Sequence, residues 1–324
     1  MSGVQRDGNG RTLGKIKRED KPRGGWQDWC VDRALRIIIA AMALLPLRAR
    51  LNTMSWIMRR VIAGPAGYRE RARANLSHVW PDKSEGERNR IAEAAIDTAA
   101  RTIIENYDVL GLRDRMRKIA PEGPGFEAAK SAQAAGKPVL FVTGHFGNHE
   151  APRATLVAHG FEVGGLYRPM SNPYFNAHYE QNMHALSGPV FSQGRKGTMG
   201  LLRHLKNGGL AVLLYDVYDS AGLPLPFMGQ PAPTLTSAAE IARKTGAVLI
   251  PFFGIRQDDG VSIRSVFEEP VPHDTPEAMM RELNARLERR IEEHPGQWFW
   301  IHRRWKPKRQ ARRQRKAADP KTTP

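Results

Sequence analysis

Residues 142–150, Val-Thr-Gly-His-Phe-Gly-Asn-His-Glu, are the part of the chain best equipped for chemistry. They set His145 and Glu150 in a His-x4-Glu spacing directly after the apolar run 138–142. That run is short and rich in Val, Leu and Phe, and it predicts a buried strand. Gly144 permits a tight exit, and Asn148 is suited to cap a following helix. An imidazole then stands at the carboxyl end of a strand, where catalytic groups collect in open α/β sheets. The chemistry that fits the pair is proton removal from a hydroxyl. His145 is the candidate general base, and Glu150 the carboxylate that orients its ring and stabilises the imidazolium. On spacing alone the pair also fits a surface histidine beside an acid favoured by a helix dipole. A zinc reading is weaker, because His145 and His149 lie across a predicted turn and not on one helical face.

The elements that must position these residues alternate between the two periods. Residues 65–118 read as helical, with a capping box at Ser84 and Glu87 and an apolar helical stripe after it. A short helix over 126–135 precedes the strand that ends at His145. Helix follows over 151–159, strand over 161–167, and helix over 176–185 and 197–206. A third buried strand, 210–215, ends at Asp216. A helix over 234–245, strands over 247–253 and 261–267, and a long amphipathic helix over 276–294 complete the series. Strands alternating with helices predict an α/β domain whose sheet is mainly parallel and flanked by helices.

The 324 residues suffice for one large α/β domain with appendages. The formal net charge of +17 calls for an anionic partner: nucleic acid, an anionic membrane, or an acidic protein or substrate. No nucleic-acid module accompanies the charge, so no nucleic acid is expected. The single cysteine, Cys30, excludes an internal disulfide. Residues 1–25 are polar and basic and read as a disordered arm without a secretory signal. The apolar stretch 34–47 covers about 21 Å as a helix, short of the roughly 30 Å hydrocarbon core. With the amphipathic stretch 51–63 and Trp26, Trp29 and Trp56, it reads either as core helix or as an interfacial membrane anchor over 26–63. The catalytic domain then spans 64–306. Nine of the fourteen residues 303–316 are Lys or Arg and none is acidic. The tail, 307–324, is therefore either a solvated disordered segment or a clamp on anionic lipid.

Several blocks together resemble one family. They are Arg69-Glu-Arg-Ala-Arg-Ala-Asn-Leu76 with Trp80-Pro-Asp82, then Thr143-Gly-His-Phe-Gly-Asn-His-Glu150, then Tyr167-Arg-Pro169 with Asn172-Pro173. Asp216, Phe227-Met-Gly-Gln-Pro-Ala-Pro-Thr234, the run 246–253 and Gln297-Trp-Phe-Trp-Ile-His-Arg-Arg-Trp-Lys306 follow in order. From residue 26 to 306 the chain resembles the lipid A biosynthesis late acyltransferases, of lauroyl and myristoyl type, in the lysophospholipid acyltransferase superfamily. The resemblance implies a glycerolipid-acyltransferase-like α/β fold with an N-terminal membrane-associated helix. It implies an O-acyltransferase at the cytoplasmic face of the bacterial inner membrane, in contact with anionic lipids. The donor it implies is a fatty acyl thioester on acyl carrier protein, and the acceptor a hydroxyl of a Kdo-bearing lipid A precursor. No metal, no cofactor and no covalent acyl-enzyme is implied. The same chemistry on another glycolipid or a lysophospholipid stays open, as does a non-catalytic basic protein that binds anionic lipid or nucleic acid.

The resemblance also assigns residues. Asp216 matches the family's second essential carboxylate, although Val217 follows where members usually carry Gln. The family's arginine after the Tyr-Arg-Pro block falls here at Asn182-Met-His184, which has none. His184, Arg168, Arg195 and Lys196 are the candidates to supply that charge, Arg168 foremost. The Pro- and Gly-rich segment 227–237 reads as a turn feeding a helix, with Thr234 among its possible phosphate or oxyanion ligands. Arg303 and Arg304 are candidates for headgroup phosphates.

Overall fold

A computed structural model of the chain describes residues 24–306. The expected arm and tail lie outside the described residues, apart from the arm's last two positions. Five helices come first: α1 (Trp26–Ala43), α2 (Leu47–Ile57), α3 (Tyr68–Val79), α4 (Glu85–Glu105) and α5 (Val109–Met116). A π-helical turn, Met58–Ile62, extends α2. Then α6 (Pro124–Ala134) leads into β1 (Val139–Thr143), α7 (Ala151–Ala158), β2 (Val163–Tyr167), α8 (Pro173–Leu186), β3 (Val190–Ser192), α9 (Arg195–Lys206) and β4 (Leu210–Leu214). A hairpin of β5 (Leu223–Phe227) and β6 (Gln230–Thr234) follows. The chain closes with α10 (Ser237–Thr245), β7 (Val248–Arg256), β8 (Ile263–Phe267), α11 (Pro276–Glu293) and a 3-10 turn, Pro295–Gln297.

The main sheet has six strands in the order β3-β2-β4-β1-β7-β8. The first five are parallel, and β8 pairs antiparallel with β7. The expected α/β class and mainly parallel sheet are therefore present. The sheet's central strand, β1, is wholly buried, as its unbroken apolar run requires. Leu140 and Val142 face one layer with Leu201, Leu205 and Leu287 of α9 and α11. Val139 and Phe141 face the other with Phe126 and Ala129 of α6. From β1 the chain moves toward β2, and from the adjacent β4 it moves the other way, toward β7. Loops that leave neighbouring strands in opposite directions open a crevice at their carboxyl ends.

Three local features merit explanation. The capping box predicted at α4 is formed, with Ser84 and Glu87 exchanging both hydrogen bonds. The segment read as a turn before a helix is instead the β5–β6 hairpin, and α10 starts later, at Ser237. Its prolines face each other, Pro224 with Pro233 and Pro226 with Pro231. Such opposite pairs suit positions that exchange no ladder hydrogen bonds, so the missing N–H costs nothing there. Met228 and Gly229 both take positive φ, the two-residue turn that matches the twist of a hairpin.

At the N-terminus, α1 lies on α8 and leaves much of its apolar surface open. Trp26, Trp29, Ile37 and Leu44 are exposed, and so are Trp56 and Val61 farther on. No helix among the described residues is long and apolar enough to cross a membrane.

Candidate active site

His145 and Asp216 leave the adjacent strands β1 and β4 in register, with Thr143 opposite Leu214. The pairing brings together two residues 71 positions apart. His145 Nδ1 lies 2.7 Å from Asp216 Oδ1, and the His145 amide donates to Asp216 Oδ2 at 2.7 Å. The Trp298 indole N–H donates to the same Oδ2 at 2.8 Å. The carboxylate on the ring is thus Asp216 and not Glu150, which corrects the reading from spacing. Glu150 sits at the start of α7, where its carboxylate meets Arg153 at 3.3 Å, one turn along. The tight course of the loop separates it from His145. Gly147 adopts φ +52, and a Cβ there would stand 1.9 Å from the carbonyl oxygen of Gly254.

The electrostatics follow from this geometry. Burial opposes ionisation of Asp216, but the His145 charge and the three hydrogen bonds outweigh it and hold the carboxyl far below the usual range. Burial also lowers the pKa of His145, yet the charge and hydrogen bond of Asp216 raise it further, to above the ordinary imidazole value. A permanently ionised Asp216 fixes the proton on Nδ1 and leaves Nε2 as the acceptor. That is the state a general base needs. His149 behaves differently: burial, and then the charge of His145, pushes it down to about 4.

The loop after β1 is clamped from several sides. Gly147 donates to the Gln297 carbonyl, Asn148 donates to that of Gly254, and Thr102 donates to the Gly147 carbonyl. Phe299 donates to the His145 carbonyl at 2.9 Å. The N-cap position of α7 is Glu150; two residues earlier, Asn148 takes the amides of Glu150 and Ala151 on its side-chain oxygen. Its amide nitrogen donates at 2.8 Å to Glu105, a buried carboxylate that also pairs with Arg256 and with Arg115. Removing one partner of such a buried pair typically costs about 3–5 kcal/mol, so the loop is anchored on an unforgiving support. Sequence reasoning missed Trp298, Glu105 and Arg256 in these roles. Trp298 meets Asp216 across 82 positions, and Glu105 meets Asn148 across 43 and Arg256 across 151; only the block 297–306 marked any of them.

A cavity of about 360 Å³ opens beside His145. One wall is the α4 stripe of Ala95, Ala99, Thr102 and Ile103, and the other includes Met170 and Phe299. Most of its surface is apolar, and His145 and His149 line it together with Thr98, Asn106, Tyr107, Tyr179 and Gln297.

The basic candidates fall into two groups. Arg168 is exposed on the loop that leaves β2, and Arg195 and Lys196 are exposed in the first turn of α9 after β3, at the same edge of the sheet as His145. His184 is exposed on α8, and Arg303 is exposed after the 3-10 turn. None of them lines the cavity. Arg304 and Thr234 are wholly buried, which removes both from a headgroup site. Arg304 donates to the Thr234 hydroxyl at 2.5 Å and to the Pro233 carbonyl, and its guanidinium stacks on Phe227. It ties the segment after Trp300 to the hairpin. Burial lowers its pKa to about 10, so it remains charged in neutral solution.

Residues 19–307 match the family of bacterial lipid A biosynthesis acyltransferases. The chain belongs to that family. It is 29% identical over 243 residues to the lipid A biosynthesis lauroyltransferase of Escherichia coli (strain K12), spanning 72% of this chain and 77% of that protein. It is 24% identical over 299 residues to the lipid A biosynthesis myristoyltransferase of the same organism, with 85% of each chain covered. A lipid A biosynthesis acyltransferase of Haemophilus influenzae is 22% identical over 236 residues, 72% of this chain and 74% of that protein. The chain is an acyltransferase of lipid A biosynthesis by family.

A pH profile separates the two carboxylates. His145 must be neutral to accept a proton, so kcat/KM falls as pH drops through its raised pKa. Asp216→Asn removes the interaction that raises that pKa while burial continues to lower it, so the acid limb moves to lower pH and kcat drops. Glu150→Gln leaves the limb in place, because that carboxylate does not touch the ring. A limb that moves with Glu150→Gln and not with Asp216→Asn would show the reverse assignment.

Proposed function

We propose that this protein transfers a fatty acyl group from acyl carrier protein to a hydroxyl of a Kdo-bearing lipid A precursor. The observation that carries the reading is His145, held by Asp216 with Nε2 free, beside an apolar cavity in a chain of this family. The acyl chain occupies the cavity and brings its thioester carbonyl to His145. Nε2 takes the proton of the acceptor hydroxyl as the oxygen bonds to the carbonyl carbon. Collapse of the tetrahedral intermediate breaks the C–S bond, and the imidazolium returns its proton to the departing sulfur. Asp216 stabilises the imidazolium between these two transfers. Glu150 acts from one side. Paired with Arg153, which also holds the carbonyls of Val163 and Ser187, it fixes the start of α7 against β2 and α8.

Charge supports the partners. An acidic carrier protein complements a chain of net charge +17. Arg168, Arg195 and Lys196 form a basic rim at the sheet edge that bears His145, suited to the phosphates and acidic sugars of the precursor. The exposed tryptophans and aliphatic residues of α1 and α2, with Arg33 and Arg60 beside them, suit an interfacial seat on anionic lipid at the cytoplasmic face of the inner membrane.

Two measurements test the reading. His145→Ala should lower transfer from acyl carrier protein to the Kdo-bearing precursor by at least about 10²-fold while the fold persists. Near-wild-type turnover by the folded variant contradicts the mechanism, and faster transfer to a neutral lysophospholipid contradicts the acceptor. Replacing Trp26, Trp29 and Trp56 together by Ser should release the full chain from vesicles containing phosphatidylglycerol, measured by co-sedimentation. Unchanged sedimentation would locate the membrane contact elsewhere.

A further inference from the structure

The acyl-transfer reading leaves one chemical demand unmet. As the hydroxyl oxygen bonds to the thioester carbon, the carbonyl π pair moves onto oxygen, and that charge needs a donor close by. Most of the usual suppliers around His145 are already committed. The amides of residues 145, 146, 147, 148, 150 and 151 donate to Asp216, Gly144, Gln297, Gly254 and, twice, Asn148. The hydroxyls of Thr98 and Thr102 donate to the carbonyls of Gly296 and Gly147. Both ends of the Gln297 amide are held by the backbone of Arg256. None of the basic candidates lines the cavity, and the Arg153 guanidinium is spent on two backbone carbonyls and Glu150.

Of the polar side chains that remain in the cavity, Asn106, Tyr107, Tyr179 and His149, only His149 packs its ring against that of His145. His149 lines the same cavity as His145, and their ring centroids are 5.5 Å apart. Neither ring nitrogen of His149 has a hydrogen-bond partner among the described residues, and it is carried on the same clamped loop, immediately before α7. We propose that His149 is the oxyanion donor: its neutral imidazole N–H holds the thioester carbonyl oxygen while His145 removes the acceptor's proton. This rests on the acyl-transfer reading above. A neutral imidazole suits the task, since it donates a hydrogen bond without protonating the oxygen or repelling the imidazolium that forms on His145. Burial and the neighbouring His145 charge keep it neutral, at a pKa of about 4. The balance of the step is complete: the negative charge that develops on oxygen is held by the His149 N–H and disappears when the carbonyl re-forms and sulfur departs.

The test is steady-state transfer from the acyl carrier protein thioester by the full-length chain, with His149→Ala, His149→Gln and His149→Leu. His149→Ala should lower kcat by about 10²-fold or more, the usual cost of losing one oxyanion donor, with little change in the donor's KM. The acid limb of the pH profile should stay where it is, because Asp216 still holds His145; a change that merely loosened the loop would move it. Gln and Leu fill comparable space and keep the comparison available if the Ala variant fails to fold. Gln retains an N–H donor and should recover part of the rate, and Leu should not. Wild-type protein that transfers no acyl group to any hydroxyl acceptor would overturn the acyl-transfer reading and this proposal with it. An active wild type whose His149→Leu variant stays within about threefold would overturn the proposal alone, since a lost oxyanion donor costs far more.

Discussion

A single buried carboxylate holds this site together. Asp216 is 3% exposed and accepts from the His145 ring, the His145 amide and the Trp298 indole. A carboxylate taken out of water is stable only if its lone pairs are satisfied, and here three donors from two chain segments satisfy them. The requirement runs both ways. The donors must be brought to the acid, so β1 and β4 must be neighbours in this register and the segment 297–299 must lie against the loop after β1. In return, the charge of Asp216 selects the tautomer of His145 and raises its basicity. The same contact thus fixes the loop's path and the orientation of the imidazole.

The surroundings are arranged to keep that loop from moving. Gly147 passes so close to Gly254 that no side chain fits between them. Asn148 links the cap of α7 to Glu105 at the end of α4, and Arg256 of β7 closes the pair. The 3-10 turn contributes Gln297, whose side chain holds β7 and whose carbonyl holds Gly147. Trp298, Trp300 and Trp305 pack edge-on and stacked with Phe227 below the site, which fixes the indole that reaches Asp216. Support of this kind holds the imidazole in a fixed place beside the cavity.

How much of this could be seen in the chain depends on the range of the interaction. The apolar run before His145 marked β1, and similar runs marked β4 and β7, because burial on both faces is written in consecutive residues. The Ser84–Glu87 cap and the Asn148 bonds to the start of α7 were legible for the same reason: their partners lie within four positions. Glu150 was the nearest acid to His145 in sequence but not in space, and parallel strand pairing, which brings Asp216 to the ring, leaves no local trace. Asp216 itself was picked out by the family resemblance, though not its place on the imidazole. The segment 227–237 reads as a turn feeding a helix, and the pairing of its prolines with Pro224 and Pro226 is visible only once the partner strand is known. Arg304 and Thr234 looked like surface ligands by type; their burial depends on a contact across 70 positions.

The identity of the carboxylate on His145 is the claim on which the rest stands. The direct measurement is NMR of the full chain labelled with ¹⁵N-histidine, in wild type, Asp216→Asn and Glu150→Gln. The account predicts a His145 ring protonated at Nδ1, with that proton shifted downfield by its hydrogen bond and the ring titrating above the ordinary imidazole value. Both features should vanish in Asp216→Asn and persist in Glu150→Gln. A His145 signal unchanged by Asp216→Asn and altered by Glu150→Gln would contradict it.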